Sequence, residues 1–246
     1  MADVNQPMGI VSRSADVVHL VASRGALSIA EVSEHIDMPR ASVYRLTEAL
    51  VQARLVEVGD DGKVRASRRC LRLGDAARAG LEEWSAARDV LDTLSDVTGQ
   101  TTYLSVPDGP RALCIDWSRG RGISVLALKP GRVLPLHAGA AGRATLAFRP
   151  SSLEDYLRDA PFRAFTVHTL TTAEELAADV ECIRARGYSV SDEDVTIGIG
   201  ALGVPVWAAD GSLKGSLSLA GLAADVRDRQ AELVQALTES AARLTA

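Results

Sequence analysis

Cysteine is scarce in this chain, and its three copies, Cys70, Cys114 and Cys182, lie far apart. That spacing excludes a disulfide framework and a zinc knuckle, and it reads as reduced thiols in a cytoplasmic protein. No window approaches 18 uncharged apolar residues, so no membrane span is expected. The first 25 residues carry Asp3, Arg13, Asp16 and Arg24 and lack an apolar run, so no secretory signal is expected. His19, His35, His137 and His168 share no metal-ligand spacing, and no Gly-x-Ser-x-Gly elbow supports a hydrolase triad. The literal GxGxxG from Gly198 to Gly203 follows an acidic segment and precedes Val204-Pro205-Val206-Trp207. A dinucleotide site needs a strand before the glycines and a helix after them, so these glycines are read as serving turns and close backbone approach. The Asp192-Glu193-Asp194 run reads as a solvated acidic loop. No cofactor or metal is expected.

Positive charge is also short overall. Across 246 residues, 27 Lys and Arg face 32 Asp and Glu, a formal net charge of −5. Its distribution matters more than its sum. Residues 1–80 carry a net of +1 and residues 81–246 a net of −6. Within 38–72 stand Arg40, Arg45, Arg54, Lys63, Arg65, Arg68, Arg69 and Arg72 against four acidic residues, a net of +4. A local basic face attracts phosphate even when an acidic partner domain sets the total. At 47% apolar and 24% charged residues, the composition is that of a soluble globular protein with room for one large domain or two modest ones.

The basic region coincides with an ordered set of helix and turn signals. A first helix is expected over about Ser14–Ser23, with an apolar stripe of Ala15, Val18, Leu20, Val21 and Ala22 ending at Arg24-Gly25. Ser28, three residues before Glu31, is a capping box that opens a short second helix. Asp37-Met38-Pro39 makes a turn, and Pro39 suits the first position of a third helix because its missing N–H would have no partner there. In that helix, to about Ala53, Val43, Leu46, Ala49 and Leu50 form the buried stripe. Arg40, Ala41, Tyr44, Arg45 and Glu48 fall on the other side, with Ser42 near the edge. Leu55-Val56-Glu57-Val58, a Gly59-Asp60-Asp61-Gly62 turn and Lys63-Val64-Arg65-Ala66 spell a β-hairpin. The order is that of a winged helix-turn-helix, whose third helix offers its N-terminal residues to base edges. The expected DNA-contacting residues are Ser28, Arg40, Ala41, Ser42, Tyr44 and Arg45, with Lys63 and Arg65 on the wing.

Helical patterning resumes over Cys70–Val97, with a break expected near Gly80. Beyond Thr98, strands and helices alternate. Strands are expected over Gln100–Val106, Ala112–Trp117, Ser124–Leu128, Leu202–Trp207 and Leu213–Leu219. Helices are expected over Gly139–Phe148, Leu153–Leu157, Ala173–Arg186 and Ala224–Leu244. This is an α+β domain with a mainly antiparallel sheet.

Three segments carry a resemblance. They are Pro135-Leu136-His137-Ala138-Gly139-Ala140-Ala141-Gly142-Arg143-Ala144-Thr145-Leu146-Ala147-Phe148, then Arg186-Gly187-Tyr188-Ser189-Val190-Ser191-Asp192-Glu193-Asp194 with Gly198, then Val204 through Gly211 with Ser216-Leu217-Ser218-Leu219-Ala220-Gly221. With the N-terminal unit, these resemble the IclR family of bacterial transcriptional regulators, over roughly residues 12–245. The resemblance implies a winged helix-turn-helix over 10–68, a linker helix over 69–85 and a GAF-like effector-binding domain over 86–246. It implies homodimers, often paired into tetramers, on a roughly palindromic double-stranded operator. It also implies repression or activation of catabolic genes in response to a small molecule, commonly a carboxylate or an aromatic acid.

The family holds an effector carboxylate on backbone N–H groups, here those of Ala140 and Ala141 ahead of Gly142-Arg143-Ala144. A helix start with free N–H groups suits an anion. An acidic family position matches Asp192, a frequent cysteine position is Leu202, and two polar positions of the last strand are Ser218 and Ala220. His137 stands beside the anion site. Leu202 and Ala220 depart from the polar version of the pocket, which reads either as a larger, more apolar acid or as core packing. The alternative function is a metabolite-processing enzyme domain on a DNA-binding head, against which stands the lack of a nucleophile–base pair. A domain that has lost its DNA target is a third reading.

Overall fold

The computed structural model describes residues 6–80, 84–122, 128–149 and 153–244. The chain divides into two compact units, Met1–Glu82 and Glu83–Ala246. The first contains α1 (Gln6–Arg24), α2 (Ile29–His35), α3 (Arg40–Gln52), β1 (Val56–Val58), β2 (Val64–Ala66) and α4 (Cys70–Ala79). Helix α1 begins well before Ser14. Its buried edge is Val17 and Val21, one turn apart, with Val18 and Leu20 only partly covered. The capping box at α2 is complete: Ser28 Oγ accepts from Glu31 N, and Glu31 Oε2 accepts from Ser28 N at 2.8 Å. Pro39 stands one position earlier than expected, as the N-cap of α3, with φ −55° and ψ 137°. There its carbonyl receives the Ser42 and Val43 N–H groups.

Val32, Ile36, Val43, Leu46 and Leu50 meet Val56 and Val64 of the hairpin in one apolar core. Leu27 adds a link that local patterning does not reveal. It exchanges two backbone hydrogen bonds with Val64, at 2.9 and 2.7 Å, and so ties the chain ahead of α2 to the second hairpin strand.

The second unit runs α5 (Ala87–Thr98), β3 (Thr101–Asp108), β4 (Arg111–Ser118), β5 (Val133–Pro135), α6 (Gly139–Phe148), α7 (Leu153–Leu157), α8 (Ala173–Arg186), β6 (Ser189–Asp192), β7 (Ile199–Trp207), β8 (Leu213–Leu222), α9 (Ala223–Asp228) and α10 (Gln230–Ala242). Its six strands form one antiparallel sheet in the order β5-β4-β3-β8-β7-β6. Strands β5 and β6 were not expected, being too short to show alternation. The strand expected over Ser124–Leu128 lies, except for Leu128, outside the described residues. The closing helix is two helices. They break at Arg229, whose backbone leaves the helical region while its guanidinium donates to Thr98 O at 3.1 Å and pairs with Glu232 at 2.7 Å.

Two cross-strand rows fix what each face of the sheet meets. Thr102 Oγ1 donates to Leu91 O at 2.9 Å, so the row Thr102–Leu219–Leu202 faces the α5 side. Alternation puts Tyr103–Ser218–Gly203–Ser189 on the other face. There Ser189 Oγ donates to Ala140 O at 2.7 Å and holds the start of α6 against the sheet. Gly203 permits that approach, since a Cβ on it would stand 2.9 Å from both Ala140 O and Ser189 Oγ. Gly203→Ala is expected to destabilise this unit by about 1–3 kcal/mol, read as a lower urea midpoint with an unchanged slope.

Candidate functional site

Helix α3 presents Arg40, Ala41, Tyr44, Arg45 and Glu48 to solvent, while Val43, Leu46 and Leu50 fill the core. Tyr44 is 59% exposed, an unusual position for a tyrosine with no partner to cover it. Ser42 is half-buried at the edge of this face. No side chain caps α3 and its first turn holds no acidic residue, so no side-chain charge offsets the dipole at its N-terminus. Ser28 is committed elsewhere, its hydroxyl and amide both engaged with Glu31. On the wing, Lys63 is exposed. Arg65 reaches back to Asp61 at 2.7 Å across the turn, so part of its charge is already matched. His19 and His35 are surface residues.

In the second unit a cavity opens at the start of α6. On a scale where one water takes about 10–15 Å³, it holds about 60 Å³ and is half open to solvent, room for a few waters. Of the residues expected to hold an effector, Ala140, Ala141, Ser218 and Ala220 line it. Tyr103, Ser191, Thr196, Leu134, Val195 and Ile199 also line it and were not foreseen. Leu202 does not: it is wholly buried on the α5 face, and Ala201, one residue earlier, takes the cavity position. Strand period two makes a one-residue offset a change of face. Asp192 also points away, paired with Arg227 at 3.0 Å in an exposed contact, and Ser191 faces the cavity instead.

His137 belongs to packing. Its Nδ1 meets Tyr156 Oη at 3.1 Å, its Nε2 meets Arg163 O at 3.0 Å, and its ring stacks on Phe162. Burial holds its pKa below the ordinary 6.5, outweighing the opposing bond to Arg163 O.

The acidic run is not a solvated loop. Asp192 and Glu193 both pair with Arg227. Asp194 is buried and acts as a hub. Its carboxylate accepts from Gly139 N at 3.0 Å and from Ser191 Oγ, and it pairs with Arg143 at 3.2 Å. Arg143, with its side chain 5% exposed, bonds Asp179 of α8 at 2.8 Å as well. One guanidinium thus joins α6, α8 and the loop after β6. Asp194 takes the first N–H of α6, while those of Ala140 and Ala141 have no acceptor among the described residues. Among those residues no group of His, Cys, Asp and Glu is placed to hold a metal, and no helix is long and apolar enough to cross a membrane.

A helix-turn-helix with a hairpin wing, followed by a separate α+β unit with a cavity at a helix start, is the architecture of a DNA-binding transcriptional regulator with a second domain. Residues 11–59 match the IclR helix-turn-helix domain, and residues 80–246 match the C-terminal domain of the bacterial transcriptional regulator IclR. The chain belongs to the IclR family. It is 30% identical over 242 residues to the HTH-type transcriptional regulator BhcR of Paracoccus denitrificans, covering 96% of this chain and 85% of that one. A crystal structure of a putative IclR transcriptional regulator from Silicibacter superposes with a TM-score of 0.80 at 27% identity, covering 96% and 95% of the two chains. An IclR homologue from Microbacterium hydrocarbonoxydans, complexed with 4-hydroxybenzoate, shares the fold with a TM-score of 0.78 at 20% identity, covering 96% and 97%.

Two variants separate the buried ion pair from the exposed one. Arg143→Met leaves the buried Asp194 without a cation and Asp179 with only Arg186 at 4.0 Å, and is expected to cost about 3–5 kcal/mol in denaturant unfolding. Asp192→Ala, on a solvent-screened pair, is expected to cost less than about 1 kcal/mol.

Proposed function

We propose that this regulator binds a small carboxylic acid in the cavity at the start of α6 and changes its affinity for operator DNA in response. The observation that carries the reading is that Ala140 and Ala141 line the cavity while their N–H groups have no acceptor among the described residues. Aligned helix N–H groups suit an anion. Arg143 matters here through Asp194: it balances a carboxylate that would otherwise repel a second one at the same helix end. The remaining wall is mostly apolar, with Leu134, Val195, Ile199, Ala201 and Ala220 beside the Ser218 hydroxyl. That suits an acid with an aromatic or branched body, the class that 4-hydroxybenzoate represents in the Microbacterium homologue.

Operator contact falls to Arg40, Ala41, Ser42, Tyr44 and Arg45 on α3, with Lys63 beside the duplex and Arg65 held partly by Asp61. Ser28 enters only through its amide-capping role. A two-fold dimer on a roughly palindromic site is the arrangement that lets two such helices act together. Boundaries of 10–68, 69–85 and 86–246 assign α4 to a linker between reader and sensor.

A thermal-shift screen tests the sensor. An acid that binds the folded state raises the melting temperature by mass action, whereas its methyl ester is expected to give no shift. An ester that matches its acid would overturn the carboxylate reading. For the reader, Arg45→Ala is expected to weaken binding to a genomically selected operator by about tenfold or more while leaving the acid-induced shift unchanged. Equal operator affinity in the variant would remove Arg45 from the interface.

A further inference from the structure

Tyr103 is a polar residue of the cavity wall that the fold leaves unused. It sits in the interior of the sheet on β3, 2% exposed, with its ring tilted against Trp117 at 6.1 Å between centroids. Its hydroxyl is buried and has no hydrogen-bond partner among the described residues. Two neighbouring polar groups are committed elsewhere. Ser191 donates to Asp194, which is also held by Gly139 N and Arg143. The Cys114 thiol donates to Asp116 O at 3.4 Å, and burial pushes its pKa up to about 12, so it stays a neutral thiol. A buried hydroxyl without a partner bears its full desolvation cost. Phenylalanine would fill the same space without that cost, so the tyrosine gains nothing from packing alone.

Position supplies the rest. Tyr103 stands directly across the β3–β8 pair from Ser218, on the face that carries Gly203 beneath Ala140. The cavity therefore has the amide end at Ala140 and Ala141 and a phenol on the strand beyond Ser218, with Leu134, Val195 and Ile199 in the rest of its wall. The geometry points to a ligand with two poles: a carboxylate on the α6 amides and a neutral hydroxyl or oxo oxygen that pairs with Tyr103, which makes Tyr103 a specificity-determining residue. A second carboxylate is disfavoured at that end. Burial raises the phenol above its ordinary pKa, and Arg143 is already shared between Asp179 and Asp194. A site built to pair with a ligand hydroxyl discriminates far more sharply against the analogue that lacks it than an apolar pocket can.

This inference rests on the carboxylate reading above, and one titration series separates the two. Calorimetric affinities are measured for the full-length wild type and Tyr103→Phe with benzoate, phenylacetate, their ring-hydroxylated isomers and the corresponding methyl esters. Wild type is expected to bind at least one hydroxylated acid about tenfold or more tightly than its parent. Tyr103→Phe is expected to lose most of that preference while holding the parent acid with unchanged affinity. Without ligand, the variant is expected to melt at the same temperature as wild type or higher, since it sheds an unpaired hydroxyl. A preference that survives in Tyr103→Phe overturns the role of Tyr103 and leaves the carboxylate reading standing. A lower melting temperature of the ligand-free variant shows that the hydroxyl is paired within the protein and also overturns the role. Binding of esters as tightly as acids, or of none of the acids, overturns the carboxylate reading and this inference with it.

Discussion

The second unit depends on one buried guanidinium. Arg143 reaches Asp179 on α8 and Asp194 in the loop after β6, so three segments distant in sequence share a single charge-assisted node. Such a node contributes little net stability compared with apolar packing of the same shape, but losing one member leaves the others unmatched and is costly. Its geometric value is larger. Asp194, held by Arg143 and Ser191, takes the Gly139 N–H and sets the start of α6. Gly203 then lets the α6 backbone lie close on the sheet, and the Ser189 hydroxyl fastens it there. The cavity wall follows from these contacts, because Ala140 and Ala141 can face it only when α6 begins where Asp194 places it.

The same node shapes the local electrostatics. Arg143 faces Asp179 and Asp194 in a largely desolvated setting, and Arg186 stands 4.0 Å from Asp179 as a second positive charge, so the node is close to neutral.

Legibility from sequence divides along the range of the interactions involved. Helices α6, α7 and α8 fall on their expected spans, and the box at Ser28 and Glu31 forms as expected, because caps and helical period act over a few residues. The winged helix-turn-helix was equally readable, its signals being local and in fixed order. The family resemblance pointed to Ala140, Ala141, Ser218 and Ala220, which do line the cavity. Asp192 and Leu202 lie off the cavity, with Ser191 and Ala201 one residue earlier on its wall, because the face a strand residue takes depends on pairing with its neighbours, and that phase is invisible in a short run. Tyr103 was missed for a related reason: its place beside Ser218 comes from the β3–β8 pairing between distant segments. The acidic run at Asp192 looked solvated because its arginine partners, Arg143 and Arg227, lie far away in the chain.

The pairing of Leu27 with Val64 bears on how the reading head can evolve and respond. Two backbone hydrogen bonds bolt the second hairpin strand to the segment that leads into α2, and Val56 and Val64 share the core of α3. Helix and wing therefore travel as one piece, like a key blade fixed to its bow. The tip at Gly59–Gly62 can be lengthened, recharged or trimmed without tilting α3, so wing and helix are free to vary separately. Whatever turns this head must turn the whole of it.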